Sequence, residues 1–261
     1  MTNAAFDAVE LHRRDLRRPF PRRFRARLTG QTVLTLARRA KYLLAGLSSS
    51  ETLLMHLGMS GSFSVESQDA LSAAAPFEAG LHDHVVFHMS SGATIAYNDP
   101  RRFGVMDLLT AAELATHPVL SKLGPEPLSP AFDALALARA CKGKTTSLKA
   151  ALLDQRVVAG LGNIYVVEAL HRAGLSPQRR ASTIATPSGL PRDAAGRLAA
   201  AIKRVLEEAV ARSLDADAYR SSRFRVYDRE GERCPRSGCS GVVRRRAQGG
   251  RSTFYCPACQ V

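Results

Sequence analysis

The sequence has no tryptophan, only five cysteines and no long apolar run among its 261 residues. It also has no leading apolar segment, so it predicts neither a secretory signal nor a membrane-spanning helix. Small secreted domains are usually dense in cysteine because disulfides stabilise them. The scarcity of cysteine here favours a reducing cytoplasm. The apolar share of 45% is ordinary, and the length allows about two domains with cores of their own.

Acidic residues are also scarce relative to basic ones. There are 23 Asp and Glu against 37 Lys and Arg, which gives a formal net charge of +14. Such an excess predicts a polyanionic partner, most often nucleic acid. A genome that favours arginine codons would explain part of it. The clustering argues for more, because residues 223–261 hold nine arginines and three acids, and the first forty-one residues hold a second dense basic set.

Four of the five cysteines lie close together near the C-terminus. Cys234 and Cys239 have four residues between them, and Cys256 and Cys259 have two. This spacing is typical of a four-thiolate zinc site, so we predict one structural Zn²⁺ ion. Two disulfides are the alternative, which the rest of the composition does not favour. The fifth cysteine, Cys141, is predicted to be a small buried residue.

The segment between the cysteine pairs predicts a β-hairpin. Val242-Val243 and Thr253-Phe254-Tyr255 have strand composition, and Gln248-Gly249-Gly250 supplies the turn. Together with the surrounding arginines, this predicts a positively charged zinc finger. We expect a basic strand, Phe224 to Tyr227, just before it.

Residues 1–115 predict a β-rich region, because short apolar runs alternate with turn signals as in a sandwich. Residues 64–80 are rich in Ala and Ser and predict a loop. The predicted strands are Phe6 to Leu11, Val33 to Leu36, Tyr42 to Leu47, Leu53 to Leu57, Val85 to Met89 and Ala93 to Tyr97.

After Gly124-Pro125-Glu126-Pro127 the pattern becomes helical. Apolar residues recur at helical spacing in Ala131 to Ala140, Ser147 to Gln155, Ile164 to Ala173 and around Leu198 to Ala209. The sequence therefore predicts an α+β protein with three domains. They are an N-terminal β-sandwich at 1–120, a helical domain at 121–222 and the zinc finger at 223–261.

The turn Gly160-Leu161-Gly162-Asn163 separates two of these helices. Backbone N–H groups at a helix start can bind phosphate, and Asn163 is predicted to cap the helix. Lys144 and Lys149 lie just upstream and could reach the same phosphate. An ordinary turn explains this segment equally well.

The stretch Asp99-Pro100-Arg101-Arg102-Phe103-Gly104 follows a strand. An arginine beside an aromatic residue on a turn can enter a base stack and fill the gap left by an extruded nucleotide. Met59, on a turn flanked by glycines, could be a second wedge. By composition alone, burial of Met59 and Phe103 in the core is the more common outcome.

Two further segments carry possible chemistry. His82-Asp83-His84 looks like part of a metal site, but the sequence near it has no carboxylate cluster to complete one, so a phosphate contact from His82 is the better functional interpretation. Lys41 follows two arginines, and its local sequence fits a solvated lysine as well as a catalytic one.

Seven motifs in order cover nearly the whole chain and resemble the formamidopyrimidine-DNA glycosylase family, whose close relative is endonuclease VIII. The motifs are Arg38-Arg39-Ala40-Lys41-Tyr42-Leu43-Leu44, His56-Leu57-Gly58-Met59-Ser60-Gly61, His82-Asp83-His84-Val85, Asp99-Pro100-Arg101-Arg102-Phe103-Gly104, Leu123-Gly124-Pro125-Glu126-Pro127-Leu128, Gly160-Leu161-Gly162-Asn163-Ile164-Tyr165 and Gly250-Arg251-Ser252-Thr253-Phe254-Tyr255-Cys256.

The resemblance implies a β-sandwich, a helix–two-turns–helix domain and a zinc finger, with DNA held between domains. It implies a monomeric, bacterial-type protein of the cytoplasm and nucleoid. Its partner would be double-stranded DNA that contains oxidised purines or abasic sites. The activity implied is excision of 8-oxoguanine and ring-opened purines, followed by β,δ-elimination at the abasic site.

Residue roles follow from the matched motifs. Lys41 would assist elimination, and Arg251 would assist its δ step. Met59, Arg101 and Phe103 would fill the space left by the flipped base, and Met59 and Phe103 favour the purine-lesion branch. The expected phosphate contacts are His82, Arg101, Lys144, Asn163 and Arg251.

Two segments depart from the family pattern. Family members begin Pro-Glu-Leu-Pro-Glu after the initiator Met, and the proline amine and the glutamate carry the chemistry. This chain begins Met1-Thr2-Asn3-Ala4-Ala5. The segment 214–222 is shorter than the loop that covers the lesion base in the family.

Three hypotheses remain open at this point. A start codon assigned too far downstream would explain the first departure and leave an active glycosylase. A non-catalytic protein that binds damaged or distorted DNA is the second hypothesis, and it predicts little covalent trapping by borohydride. The third, an RNA-binding zinc-ribbon protein, explains the charge and the cysteines but not the order of the other motifs.

Overall fold

The computed structural model describes residues 1–67, 77–213 and 224–261. The chain divides into two compact units, Met1–Ser121 and Lys122–Val261, and each is described by itself. Within the described ranges, no helix is both long enough and apolar enough to cross a membrane.

The first unit is a sandwich of two four-stranded antiparallel sheets. One sheet has the order β1-β6-β7-β5 and the other β2-β3-β4-β8. The strands are β1 (Phe6–Leu11), β2 (Val33–Arg39), β3 (Tyr42–Leu47), β4 (Thr52–His56), β5 (Ser62–Ser67), β6 (Asp83–Met89), β7 (Ala93–Asn98) and β8 (Val105–Leu109). Two short helices, α1 (Phe24–Leu28) and α2 (Ala111–Ala115), accompany them.

The core of this unit lies between the two sheets, where alternate residues of each strand point inward. Phe6 of β1 and Phe87 of β6 are fully buried, with ring centroids 5.2 Å apart. Val33, Leu53 and Met55 from the other sheet pack in the same cluster. The predicted β-sandwich is confirmed.

The prediction was wrong at two strands of this unit. Residues 64–80 were expected to form a loop, yet β5 extends to Ser67. In the part of the chain that the structure describes, β5 is a polar edge strand paired with β7 alone, and Val65 on it is well exposed, so its apolar signal is weak. β8 was not predicted, because Val105–Leu109 is too short for a strand pattern to be recognised in its sequence.

The second unit is helical up to the finger. Its elements are α3 (Ala134–Cys141), α4 (Leu148–Leu153), α5 (Asn163–Ala173) and α6 (Asp193–Ser213), with 3₁₀ turns at Leu120–Lys122 and Ala181–Ile184. Asp133 and Ser147 cap α3 and α4 by accepting backbone N–H bonds at 2.7 and 3.2 Å. Gly174 ends α5 at φ 69°, a left-handed conformation that favours glycine.

The C-terminal hairpin consists of β9 (Arg244–Gln248) and β10 (Arg251–Tyr255). Gly249 and Gly250 form its two-residue turn, both with positive φ, which gives the turn a twist that suits a hairpin. Val242-Val243 does not form the first strand of the hairpin as predicted, because its backbone pairs with Gly231–Arg233 instead of with β10. The predicted strand Phe224 to Tyr227 is also wrong, since this segment forms bends and turns.

Candidate metal centre and nucleic-acid interface

The four cysteine sulfurs form one compact cluster. All four Sγ atoms lie within 4.8 Å of one another, and the pairs Cys234–Cys259 and Cys239–Cys256 are each 3.7 Å apart. A tetrahedral zinc ion with Zn–S bonds of about 2.3 Å has its sulfurs about 3.8 Å apart. A disulfide would need about 2 Å. The residues present therefore fit one structural Zn²⁺ ion, and the disulfide alternative is wrong.

Gly241, two residues after Cys239, packs closely against the cysteine cluster. The backbone N–H of Gly241 points to Cys239 Sγ at 3.4 Å. A β-carbon at Gly241 would lie 2.7 Å from Cys256 Sγ and 2.6 Å from the Ala258 side chain. Glycine is required here because the sulfurs approach its backbone too closely for any side chain.

Cys141 lies apart from this cluster. It is the last residue of α3 and is fully buried, and burial raises the pKa of its thiol to about 11.

The finger is docked on α5 through a small apolar cluster and a buried carboxylate. Val167 of α5 packs against Val226, Val243 and Phe254. Glu168, on the same helix, accepts backbone N–H bonds from residues 225, 226 and 227 at 2.8–2.9 Å. These bonds explain why Phe224–Tyr227 turns instead of pairing as a strand.

The C-terminal end of α5 touches the metal cluster itself. His171 is fully buried, and its Nε2 lies 3.3 Å from Cys234 Sγ. Burial and the neighbouring arginines, Arg236 first among them, lower the pKa of His171 to about 4. Arg236 donates from its Nη2 to the carbonyls of His171 and Arg172 at the helix end. Neither residue was singled out from the sequence, because only the fold brings residue 171 next to residue 234.

Two polar side chains of the helical part of the unit, those of Asn163 and Lys149, donate hydrogen bonds to β10. Asn163 donates from Nδ2 to the Ser252 carbonyl at 3.0 Å. Lys149 donates from Nζ to the same carbonyl at 3.2 Å and to Thr253 Oγ1 at 2.7 Å. Arg251 is exposed beside them, at the start of β10. The Gly-rich turn and the finger, predicted separately, are thus in direct contact.

Two expectations about this region were wrong. Gly162, not Asn163, is the N-cap of α5, and Asn163 is the first helical residue. Lys149 is fully buried instead of reaching for a phosphate. Burial and the charge of Arg251 lower the pKa of Lys149 to about 8. Lys144, on the loop after α3, is half-buried, and its carbonyl accepts the N–H of Ser182 at 3.1 Å.

The surface of the hairpin is strongly basic. Arg244, Arg245 and Arg246 along β9 are all exposed, as is Arg251, which begins β10 opposite Gln248. Arg245 donates to Ser252 Oγ at 3.1 Å and Arg246 to Gln178 Oε1 at 2.7 Å. These hydrogen bonds leave the guanidinium charges uncompensated, since neither acceptor is an anion.

Met59 and Phe103 lie at the surface of the first unit, not in its core. The Met59 side chain is 70% exposed and that of Phe103 is 39% exposed. The guanidinium carbon of Arg101 sits 4.7 Å from the centre of the Phe103 ring, which is cation–π geometry. The two turns that carry these residues present two large apolar side chains and a cation to solvent.

Asp99 holds those two turns together. It is fully buried and accepts hydrogen bonds from Ser60 Oγ at 2.7 Å, the Gly104 N–H at 2.8 Å and the Tyr97 hydroxyl at 3.1 Å. Burial alone would raise the pKa of Asp99, but these bonds outweigh it and lower the pKa below its usual value. The carboxylate therefore stays ionised as a fixed acceptor.

The turns also pass too close for side chains at their glycines. A β-carbon at Gly58 would lie 2.5 Å from the Phe103 carbonyl carbon, and one at Gly104 would overlap the Tyr97 hydroxyl. Gly58 also has φ 69°, which disfavours other residues. The sequence motifs at 56–61 and 99–104 are thus two halves of one structure.

Lys41 and His82 both lie near this structure within the first unit. Lys41 is exposed in the turn between β2 and β3, after Ala40 at φ 53°. Burial lowers the pKa of His56, and the charge of Lys41 lowers it further. His56 Nδ1 in turn accepts the Gly58 N–H at 3.0 Å. The half-buried His82 accepts the Asp99 N–H at its carbonyl, also at 3.0 Å.

Comparison with known proteins places this arrangement in a family. The profile of the formamidopyrimidine-DNA glycosylase N-terminal domain matches residues 1–106, that of the family's H2TH domain residues 123–220, and that of the zinc finger found in FPG and IleRS residues 231–261. The chain belongs to the formamidopyrimidine-DNA glycosylase family. The family fold confirms the predicted sandwich, helix–two-turns–helix domain and finger.

Relatives within this family match along the whole chain. The formamidopyrimidine-DNA glycosylase of Bradyrhizobium sp. strain BTAi1 is 57% identical over 275 residues, covering 100% of this chain and 94% of its own. The Lactococcus lactis enzyme bound non-covalently to DNA with an AP site has a TM-score of 0.82 at 28% identity, covering 100% of this chain and 93% of its own. Its complex with FAPY-dG DNA has a TM-score of 0.81 at 27% identity, covering 99% and 93%. The predicted short loop at 214–222 lies outside the described residues.

Proposed function

We propose that this protein is a base-excision-repair glycosylase and AP lyase. It removes oxidised purines such as 8-oxoguanine and formamidopyrimidines from duplex DNA and cuts the abasic strand by β,δ-elimination. The observation that carries the proposal is the run of three family domains in order on one chain, together with a formamidopyrimidine-DNA glycosylase that is 57% identical across the whole of this chain.

Lesion recognition is assigned to the two turns held by Asp99. Met59, Arg101 and Phe103 enter the duplex where the damaged nucleotide has left it. An apolar wedge and a guanidinium replace the lost stacking and cover the exposed neighbouring bases, which is worth about 1–3 kcal/mol per stacked base. The exposure of Met59 and Phe103 on adjoining turns, with the Arg101 guanidinium over the Phe103 ring, supports this role because it groups apolar surface with a cation.

Phosphate binding is assigned to His82, Arg101, Lys144, Asn163 and Arg251. Asn163 supports this role through its place in the first turn of α5, where N–H groups have no partner within the helix. The exposed arginines of β9 add sequence-independent attraction. Zinc, when bound by Cys234, Cys239, Cys256 and Cys259, supplies a fixed point that holds the hairpin together and takes no part in the reaction.

The elimination chemistry is assigned to Lys41 and Arg251. β-Elimination removes a proton from C2′ of the abasic sugar and expels the 3′ phosphate, and the δ step expels the 5′ phosphate. A cation beside each departing phosphate stabilises the charge that develops there. Arg251 suits this task because it is exposed and its planar guanidinium presents a fork of N–H donors that matches phosphate oxygens. The roles of individual residues and the domain bounds 1–120, 121–222 and 223–261 remain predictions.

Binding tests recognition separately from chemistry. The expected result is tighter binding to a duplex that contains a tetrahydrofuran abasic analogue than to the undamaged duplex. Affinity should also fall steeply with salt, because several cationic groups displace condensed counterions. Equal affinity for both duplexes would contradict the recognition half of the proposal.

Borohydride trapping on abasic DNA tests the chemistry. The protein should give a trapped imine on abasic DNA and should cut the strand at 8-oxoguanine. Lesion binding without trapping or cleavage would favour the alternative, a non-catalytic protein that binds damaged DNA. We also propose a cytoplasmic, DNA-associated monomer, in keeping with its bacterial relatives.

A further inference from the structure

Among the described residues, the ring of the buried histidine at the end of α5 has one hydrogen-bond partner, and that partner is a predicted zinc ligand. His171 is 0% exposed, and its Nε2 lies 3.3 Å from Cys234 Sγ. The contact joins residues 63 positions apart in sequence. It connects the helical part of the unit directly to the metal cluster.

The surroundings of the ring decide which nitrogen carries the proton. Nδ1 is buried and has no hydrogen-bond partner among the described residues. A zinc-bound thiolate has no hydrogen to donate. If the proton were on Nδ1, a buried N–H would be unsatisfied, and the lone pair of Nε2 would face the lone pairs of sulfur. The tautomer with the proton on Nε2 removes both conflicts, because only an acceptor is then left unpaired.

We propose that His171 is a positioning residue for the zinc site, which donates an Nε2–H···S hydrogen bond to the Cys234 thiolate. The bond draws negative charge from one of the four sulfurs and fixes its orientation. Residues that orient a metal ligand in this way typically change metal affinity by about 10- to 100-fold. The inference rests on zinc occupying the four cysteines and on no other part of the proposed function.

Helix α5, which carries His171, contacts the zinc finger at two places. Glycine at 174 ends the helix just beyond His171, and Arg236 of the first cysteine loop binds the helix-end carbonyls. Asn163, two turns earlier on the same helix, contacts Ser252 of the hairpin. One helix therefore holds the finger at its metal end and at the strand that carries Arg251.

The first experiment uses the unaltered protein, loaded with ¹¹³Cd in place of zinc. A hydrogen bond to a metal-bound thiolate transmits scalar coupling, so ¹¹³Cd should couple to the Hε2 proton of His171. Imidazole ¹⁵N shifts should show the proton on Nε2. Full cadmium occupancy with no coupling, or with the proton on Nδ1, would overturn the proposal.

The second experiment compares His171→Phe and His171→Gln after loading with Co²⁺. Loss of the hydrogen bond in H171F should move the thiolate-to-cobalt charge-transfer band to lower energy and speed zinc loss to a chelator by about tenfold. H171Q, which keeps an N–H donor, should restore part of both effects. His117→Phe, which removes a histidine from the first unit, should change neither.

The two experiments also separate this inference from the assigned activity, because neither uses DNA. A cobalt band of full intensity that does not move in a folded H171F protein would contradict the hydrogen bond and leave the proposed function untouched. If H171F does not fold, the ¹¹³Cd coupling in the unaltered protein decides the question.

Discussion

Replacement of Asp99 tests whether the two surface turns act as one unit. In Asp99→Ala, the donors at Ser60, Tyr97 and Gly104 lose their common acceptor. Ser60 is partly exposed and can turn to water, but the Gly104 N–H and the Tyr97 hydroxyl remain buried. Each buried orphan donor costs about 1–3 kcal/mol, so the free energy of unfolding should fall by about 2–6 kcal/mol, toward the lower end because the Tyr97 hydroxyl can still donate to the Leu57 carbonyl 3.4 Å away.

The Asp99→Asn variant keeps the shape of the side chain and should lose less, about 2 kcal/mol, because one carbonyl oxygen still accepts while the new NH₂ opposes other donors. The pH dependence follows from the lowered pKa of Asp99. Its stabilisation is fully present above the unfolded pKa of about 3.9 and is lost as pH falls through the lower folded value. The difference between wild type and D99N should therefore shrink in acid.

The assays are urea unfolding at several pH values and binding to tetrahydrofuran and undamaged duplexes. Displacement of the turns should weaken lesion binding more than undamaged binding, because Arg101 and Phe103 lose their position. Asp107→Asn is the matched control, since its carboxylate accepts only the neighbouring Leu108 N–H among the described contacts. A D99N protein as stable as D107N, with unchanged lesion preference, would refute this reasoning.

Three further predictions concern the second unit. Removal of zinc by a chelator should unfold residues 234–259 and abolish the lesion preference, as hydrogen exchange and binding would show; a protected finger in chelator would argue against a structural metal. Lys149→Met should lose the hydrogen bonds to Ser252 and Thr253. Wild type should become more stable as the pH rises from 8 to 10, and this variant should not. That rise follows because the folded pKa of about 8 lies below the unfolded value of about 10.4, so the folded chain sheds its proton first; identical stability-versus-pH curves would count against it. Glu168→Gln should cost about 2–4 kcal/mol in urea unfolding, because three backbone N–H groups, one of them fully buried, share this buried carboxylate. The exposed Glu207→Gln should cost nothing measurable, and equal effects would rule out the anchoring role.

Regular local patterns made much of the fold predictable. The bounds of β1 and β3 agree with the predicted runs, although burial does not alternate strictly along either strand and β1 has an irregularity between Phe6 and Ala8. The cysteine spacing predicted the metal cluster for a chemical reason, since zinc restricts its ligands strongly. The polar edge strand β5 was missed because pairing with β7, not its own composition, makes it a strand.

Contacts between distant segments were beyond the sequence. Nothing local shows that Asp99 bonds to Ser60, that Lys149 lies under β10 or that His171 reaches Cys234. The Lys149 prediction failed because a lysine beside a Gly-rich turn looks solvated, while the fold gives its ammonium two acceptors in a buried place. Composition alone favoured burial of Met59 and Phe103, and the structure exposes both because they lie on the two turns.

The most direct test of the account is the binding of wild type, Met59→Ala and Phe103→Ala to duplexes with and without a tetrahydrofuran site. The account predicts that wild type prefers the damaged duplex, and that each variant loses about tenfold of that preference while its affinity for undamaged DNA is unchanged. Equal affinity of wild type for both duplexes, or variants that bind the damaged site as well as wild type does, would contradict the claim that these side chains replace the missing base.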